Sequence, residues 1–289
     1  MLDGQVPELE LGALLVAFRI KGESAAEMLG FYRAMASRLP RLLPPAGEPL
    51  PVILPSYNGA RRQGNLTPLL ALLLQKAGVP VLVHGVRMDP KRVTSMEVFA
   101  RLGVPAAGSM ADVQSRLDAG EVGFVPIDVL SPGLDALLQL RWRLGVRNST
   151  HTLVKLADPF GNHSLRLVSV SHPEYVDRMA AFFLDTEASA LLLRGTEGEA
   201  YANPKRCPRM EWFETGQRQV LAEAEEGVIA SVPQMPEAMD AAVTADWIRR
   251  ALAGEVPVPR PILIQLACCL VAARAVPDMA AALDLAVPG

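Results

Sequence analysis

The chain has 289 residues, half of them hydrophobic and a fifth charged, with a formal net charge of −3. This composition supplies one large or two modest packed domains and excludes a disordered tail, a collagen and a low-complexity scaffold. The net charge taken alone argues against a nucleic-acid binder, and no uninterrupted apolar stretch reaches the roughly 18 residues of a membrane span.

Residues 9–20 carry apolar side chains at helical spacing, and Gly22 is placed to end that helix. Ser24 and Glu27 have the spacing of a capping box for a second helix over 25–42. The proline-rich stretch 44–51 reads as a linker. It sets the expected organisation: a helical subdomain over 1–48, short at its start or trimmed there, and an α/β domain over 49–289. Beyond the linker the pattern alternates. Strands are expected at 51–55, 79–85, 122–128, 165–171 and 188–195, with helices at 66–77, 93–102, 111–120, 134–144, 149–157 and 174–184 between them. Two further helices are expected near 236–253 and 259–274. Alternation of this kind predicts an α/β fold, a mostly parallel sheet flanked by helices. The start lacks the pattern of a signal peptide, and the odd cysteine count (Cys207, Cys268 and Cys269) makes no disulfide framework, which places the chain in the cytoplasm. Cys268 and Cys269, in an apolar helix, read as core.

Ligands of open α/β sheets bind outside the carboxyl ends of the strands. Four loops are therefore of interest: 56–65, 84–92, 127–133 and 194–206. Charge is unevenly spread in a way that suits them. Residues 56–166 hold 13 Lys and Arg against 8 Asp and Glu, while residues 210–289 hold 5 against 11. An acidic chain can still present one basic groove, although ordinary fluctuation between segments produces similar numbers. Arg61, Arg62, Arg87, Lys91 and Arg92 are candidates for phosphate contact through charged donors, or are simply solvated. Arg141, Arg143, Arg147 and Lys155 form either a basic stripe tracking a phosphate chain or a soluble helix face; Arg143 and Arg147 share a face if the helix continues. Trp142 and Tyr57 offer stacking surface, with a core position the preferred reading for Trp142. Lys205, Arg206 and Arg209 follow Pro204 and either extend the groove or face water. Glu197 and Glu199, alternating on one side of an extended segment, either ligate Mg²⁺ or are exposed loop acids. His84 follows a strand and bonds either a phosphate or a backbone carbonyl. His151, His163 and His172 show no metal spacing and no accompanying nucleophile.

Long segments carry a family resemblance. MLDGQVPELELGALLVAFRIKGESAAEM at the start, GNLTPLLALLLQKAGVPVLVHGVR, LRWRLGVRN, and ALAGEVPVPRPILIQLACCL near the end resemble anthranilate phosphoribosyltransferases and pyrimidine nucleoside phosphorylases of the glycosyl transferase family 3 superfamily. The resemblance implies a helical subdomain beside an α/β domain of the nucleoside phosphorylase and phosphoribosyltransferase type. It also implies phosphoribosyl diphosphate and Mg²⁺ in the cleft, and pairing of two copies through the helical subdomain. The family's Gly-Thr-Gly-Gly-Asp diphosphate loop falls on Pro55-Ser56-Tyr57-Asn58-Gly59, where a proline and a tyrosine intrude. Its Asn-x-Ser-Thr falls on Asn65-Leu66-Thr67-Pro68, its Lys-His-Gly-Asn-Arg on Val83-His84-Gly85-Val86-Arg87, and its Lys-Ser-Gly-Ser-x-Asp on Arg92-Val93-Thr94-Ser95-Met96-Glu97. The paired metal-holding acids have a loose echo in Glu197-Gly198-Glu199. A substrate-side histidine is replaced by Val129, and the substrate-side arginine is kept as Arg147.

RNSTHTLVKLADPF and RGTEGEAYANPKR resemble the divergent YbiB-like branch, which implies nucleic-acid binding on this fold. The leading expectation is sequence-independent binding of DNA or RNA by Arg61, Arg62, Arg87, Lys91, Arg92, Arg141, Arg143, Arg147 and Lys155, through release of condensed counterions. The competing expectation is a Mg²⁺-dependent phosphoribosyltransferase. In that reading Ser56, Asn58, Gly59, Asn65, Thr67 and His84, beside Tyr57, grip the diphosphate and Glu197 and Glu199 hold the metal. A third is a small-molecule sensor without chemistry.

Overall fold

The computed structural model describes residues 1–47, 49–230, 232, 234–235 and 240–286. Two helices open the chain, α1 (Glu8–Lys21) and α2 (Ala25–Ala36). The Ser24–Glu27 capping box forms as expected: the Glu27 amide donates to Ser24 Oγ, and the Ser24 amide donates to the Glu27 carboxylate. The order continues β1 (Val52–Ser56), α3 (Thr67–Lys76), β2 (Val81–Gly85), α4 (Ser95–Leu102), α5 (Met110–Asp118), β3 (Gly123–Pro126), α6 (Ile127–Leu130) and α7 (Pro132–Leu144). After α8 (Thr150–Leu153), which runs into a 3₁₀ turn, come β4 (Leu165–Val170), α9 (Pro173–Asp185) and β5 (Ala190–Arg194). Then follow β6 (Met210–Glu214), β7 (Gln217–Ala222), α10 (Ala241–Leu252), α11 (Arg260–Ala272) and α12 (Met279–Ala286). Two expected features lie partly outside the described residues. One is the subdomain boundary at Glu48, and the other is the first turn, 236–239, of the helix expected over 236–253.

One sheet of order β3-β2-β1-β4-β5-β6-β7 organises the molecule. Strands β1 to β5 are parallel, and β6 and β7 close the edge antiparallel. The β6–β7 hairpin has no counterpart in the expected elements. Its polar strand β7 masks the period-2 signal, while Thr215 and Gly216 both take the positive φ of a two-residue hairpin turn. The parallel strands are buried on both faces, which is why they read as continuous apolar runs. Val52 and Leu54 pack into one core with α3, α10 and α11, and Ile53 points into the other, under α2, α7 and α9. Cys268 and Cys269 are free thiols within the first core. Helix α1 packs on α7, and α2 packs on α8 and α9. Among the described residues no helix is long and apolar enough to cross a membrane.

The sheet order locates the ligand crevice. The chain runs outward from β1 through β2 to β3, then returns to place β4 on the other side of β1. The reversal therefore lies between β1 and β4, the position where open α/β sheets open a crevice. The two strands pair only at Val52↔Leu165 and Ile53↔Arg166. They have parted before Pro55 and Ser56, and the loop after β1 starts at the mouth of that gap.

Candidate functional site

The loop after β1 spends its backbone donors on two glutamates. The Glu199 carboxylate is fully buried. Its Oε1 accepts from the amides of Asn58 at 2.8 Å and Gly59 at 2.7 Å, and its Oε2 accepts from Ser56 Oγ at 2.6 Å and Thr67 Oγ1 at 3.0 Å. Burying a carboxylate costs several kcal/mol unless its lone pairs are met, and four donors meet them here. The Glu197 carboxylate accepts from the next free amides, Arg61 at 3.2 Å and Arg62 at 3.0 Å. It also lies 3.6 Å from Arg61 Nε and 3.9 Å from the Arg92 guanidinium. The Ala60 amide goes to the Val93 carbonyl.

Residues 196–199 form a tight turn bridged from Thr196 to Glu199, with Glu197 at φ 53° and Gly198 at φ 88°. This differs from the extended alternation expected for the two glutamates: both face the β1 loop, but through a turn. Three donors hold the Gly198 carbonyl, namely Asn58 Nδ2 at 2.8 Å, Lys155 Nζ at 3.0 Å and Ser169 Oγ at 3.2 Å. A Cβ on Gly198 would sit 2.5 Å from Asn58 Nδ2, so the close approach requires glycine.

The remaining residues of the expected diphosphate loop are brought together but face inward. Tyr57 and His84 are buried and hydrogen-bonded to each other at 2.5 Å. Burial pushes the Tyr57 hydroxyl up and the His84 imidazole down to about 3, so His84 is neutral near pH 7. Its bond goes to a phenol, and neither to a carbonyl nor outward. Asn65 donates to the Val93 carbonyl and to Ser95 Oγ, and its Oδ1 accepts from the Thr67 amide.

The cationic candidates divide by partner. Arg87 makes a bidentate pair with Asp128 at 2.9 Å, Arg141 pairs with Asp89 at 3.1 Å, and Arg143 pairs with Glu8 at 3.0 Å. Arg92 is mostly buried and reaches the Gly59 carbonyl at 3.3 Å. Arg62 and Lys91 are exposed, and among the described residues neither has a carboxylate within ion-pair distance. Helix α7 ends at Leu144, so Arg147 leaves the face of Arg143 and instead donates to Asn58 Oδ1 at 2.6 Å. Trp142 is 49% exposed and stacks under Arg141, 4.1 Å from its guanidinium carbon, so it is not the core residue that was expected. Arg209 pairs with Glu211 and Glu223, Arg206 donates to the Glu225 carbonyl and Lys205 to that of Ala230. These three are held by local partners on the β6 side.

Beside the plugged loop lies a cavity of 240 Å³ walled by Arg19, Arg147, Asn148, His151, Lys155, Ser169, Ser171 and His172, with no acidic side chain in its lining. Charge crowding there is strong. Burial first, then the fields of Arg141 and Arg92, depresses Arg147. Burial and the fields of Arg147 and Arg141 lower His151 to about 3, and its Nε2 has no partner. Burial lowers Lys155 to about 8, against the pull of Glu199 and with a push from Arg147. Sequence reasoning had Arg147 and Lys155 but missed Arg19, Ser169, Ser171 and the role of His151. The loop leaving β4 at Ser171 is itself a strand end, so the rule that singled out the other four loops would have included it.

A helical pair beside a mostly parallel sheet, with the crevice at the β1–β4 reversal, defines a protein of glycosyl transferase family 3 with the anthranilate phosphoribosyltransferase fold. The model of the glycosyl transferase family helical bundle domain matches residues 1–39. The crystal structure of anthranilate phosphoribosyltransferase (TrpD) from Thermus thermophilus superposes with a TM-score of 0.79 at 26% identity, over 99% of this chain and 86% of that one. The Saccharomyces cerevisiae enzyme in complex with PRPP and Mg shares the fold, with a TM-score of 0.72 at 13% identity, over 99% and 84% of the two chains. Anthranilate phosphoribosyltransferase of Saccharopolyspora erythraea is 27% identical over 94% of this chain and 78% of its own length. YbiB of Escherichia coli K12 is 52% identical over 94% of this chain and 85% of its own length. The chain belongs to the YbiB-like branch of the family.

A diphosphate with Mg²⁺, which the fold family implies, does not fit the donors as they stand. The four amides, at Asn58, Gly59, Arg61 and Arg62, and the Ser56 and Thr67 hydroxyls are already bonded to Glu197 and Glu199. These are the two carboxylates for which the sequence offers Mg²⁺ ligation as one reading. Among the described residues no group of three or more His, Cys, Asp or Glu is poised to hold an ion.

Proposed function

We propose that this chain is a non-catalytic member of the family that binds the phosphate backbone of nucleic acid along the crevice, without regard to sequence. The observation that carries the reading is the acid-free wall of Arg19, Arg147 and Lys155, continued at the β1 loop by exposed Arg61 and Arg62 and by Lys91. A phosphate chain laid there exchanges condensed counterions for fixed cations, and it offsets the repulsion that adds to burial in lowering Arg147, from Arg141 and Arg92, and Lys155, from Arg147. Arg87, Arg141 and Arg143 contribute less, because Asp128, Asp89 and Glu8 already balance them. Arg141 with exposed Trp142 supplies a flat surface on which a base can stack.

The transferase alternative is disfavoured by the occupied loop amides. Two copies pair through α1, whose Leu9, Leu14 and Ile20 are exposed, and the two crevices then act on one strand. The free, buried thiols suit a reducing, cytoplasmic setting.

The test is fluorescence anisotropy of labelled single strands of two unrelated sequences over a salt series. The expected result is similar affinity for both, with log K falling steeply and linearly with log salt. Undetectable binding at low salt, or a flat plot, overturns the proposal. Sedimentation velocity on the same material reads the pairing.

A further inference from the structure

We propose that the 196–199 turn is a built-in occupant of the phosphate cradle. The two carboxylate oxygens of Glu199 take the four donors that a diphosphate-class anion would take. This occupancy is read separately from nucleic-acid binding at the adjoining wall, with which it shares Lys155 as a donor to the Gly198 carbonyl.

Consecutive amides of a tight loop, a hydroxyl at a strand end and a hydroxyl at the first residue of a helix are donors of the kind that hold phosphate oxygens. Here all of them converge on one fully buried carboxylate. Glu197 repeats the arrangement on the next two amides. A non-glycine residue at φ 53° is strained, and such a conformation persists only where surrounding bonds enforce it. The enforcing bonds are visible: two carboxylates on one side of the turn and three donors on the Gly198 carbonyl on the other. The turn is therefore seated as a ligand would be, by its acceptors. It keeps the loop in an anion-receiving shape while denying it to free anions.

The probe is inorganic pyrophosphate. Isothermal titration of the wild-type chain is expected to give no binding up to millimolar concentration, whereas Glu199→Ala, which vacates the four donors, binds at least about tenfold more tightly. Pyrophosphate is also expected to raise the melting temperature of Glu199→Ala and not that of the wild type. If the variant is folded by circular dichroism and shows neither effect, the proposal is overturned. If it does not fold alone, refolding with pyrophosphate decides: recovery of the native spectrum supports the proposal and failure to recover it overturns it. A second arm needs no variant. Shifts of the Asn58 and Gly59 amide resonances when pyrophosphate is added to the wild-type chain would show the cradle to be open and would overturn the proposal. Strand binding is measured separately on the same variant, so loss of that activity is distinguishable from an empty cradle.

Discussion

At the loop after β1, four amides and two hydroxyls are turned onto Glu197 and Glu199. A few ångströms away, across Asn58 and the Gly198 carbonyl, the wall built from α1, the α7–α8 connection and the 3₁₀ turn after α8 presents Arg19, Arg147 and Lys155 with no acid among them. The two regions share a crevice, yet the donors of one are turned onto carboxylates while Arg147 and Lys155 of the other meet neutral oxygens. The difference separates two uses of one scaffold. Small-anion chemistry needs open amides in a tight cradle, whereas binding a long phosphate chain needs only exposed cations in a row. Closing the first does not require closing the second.

The sharpest way to break the comparison is to unseat the turn. At Gly195 a Cβ would lie 2.0 Å from the Glu199 carbonyl oxygen and 2.6 Å from Ser169 Cβ, both fixed atoms. Gly195→Ala is expected to destabilise the chain by about 3 kcal/mol, among the larger effects of single substitutions, read as a lowered denaturant midpoint at constant m. If the midpoint is unchanged, the turn is not seated as described. The next largest effect belongs to the open wall. Arg147→Ala is expected to weaken strand binding about tenfold for either sequence and to lower the salt slope by about one.

Two smaller effects sharpen the boundary between the regions. Glu197→Gln keeps an acceptor for the Arg61 and Arg62 amides but removes the charge that competes for Arg61 and Arg92. Strand affinity is expected to rise about threefold at low salt, the gain fading as salt screens it. Lys155 supplies the pH test. Its free-state value is lowered to about 8, and a bound phosphate favours the ammonium form. Affinity is therefore complete below about pH 7 and falls as pH rises through about 8 to 9. Lys155→Met is expected to bind more weakly and without that fall. A wild-type profile flat from about pH 7 to 9.5 would remove Lys155 from the binding wall.

Much of this was legible in the residues. The apolar runs of β1 to β5 and the capping box at Ser24 are local signals, and local signals survive folding. The hairpin β6–β7 was not legible because its outer strand, QRQVLA, faces solvent and offers no alternation of apolar residues. Loop residues that share a strand end could be grouped by rule, and Ser56, Asn58 and Gly59 do meet Glu199. What the contact is used for could not be read. The acid and its donors lie more than 130 residues apart in sequence, and an acid beside phosphate-type donors suggests metal ligation as readily as self-occupation. The bonds onto both carboxylates favour self-occupation, and they are made through a turn with positive φ at Glu197, a conformation no propensity marks for glutamate. Pairing of the arginines failed to show for the same reason: Asp89, Asp128 and Glu8 are ordinary acids until the fold brings them to Arg141, Arg87 and Arg143.

Arg143 gives the smallest effect and the strictest control. It sits two residues from Arg141 and four from Arg147, so a stripe read from spacing would make the three equivalent. The structure separates them. The Arg143 guanidinium is mostly exposed and lies flat against the equally exposed Glu8 carboxylate, bonded at 3.0 and 3.1 Å. Its charge is balanced by an α1 acid, and its pair gains little because both members remain in water. A phosphate chain drawn to Arg147 would have to displace Glu8 to use Arg143. Arg143→Ala is accordingly expected to change strand affinity by less than about twofold and to leave the salt slope as it was. Should Arg143→Ala weaken binding as much as Arg147→Ala, the polyanion follows the outer face of α7 instead of the crevice, and the contrast between a plugged cradle and an open wall would no longer explain where this chain binds.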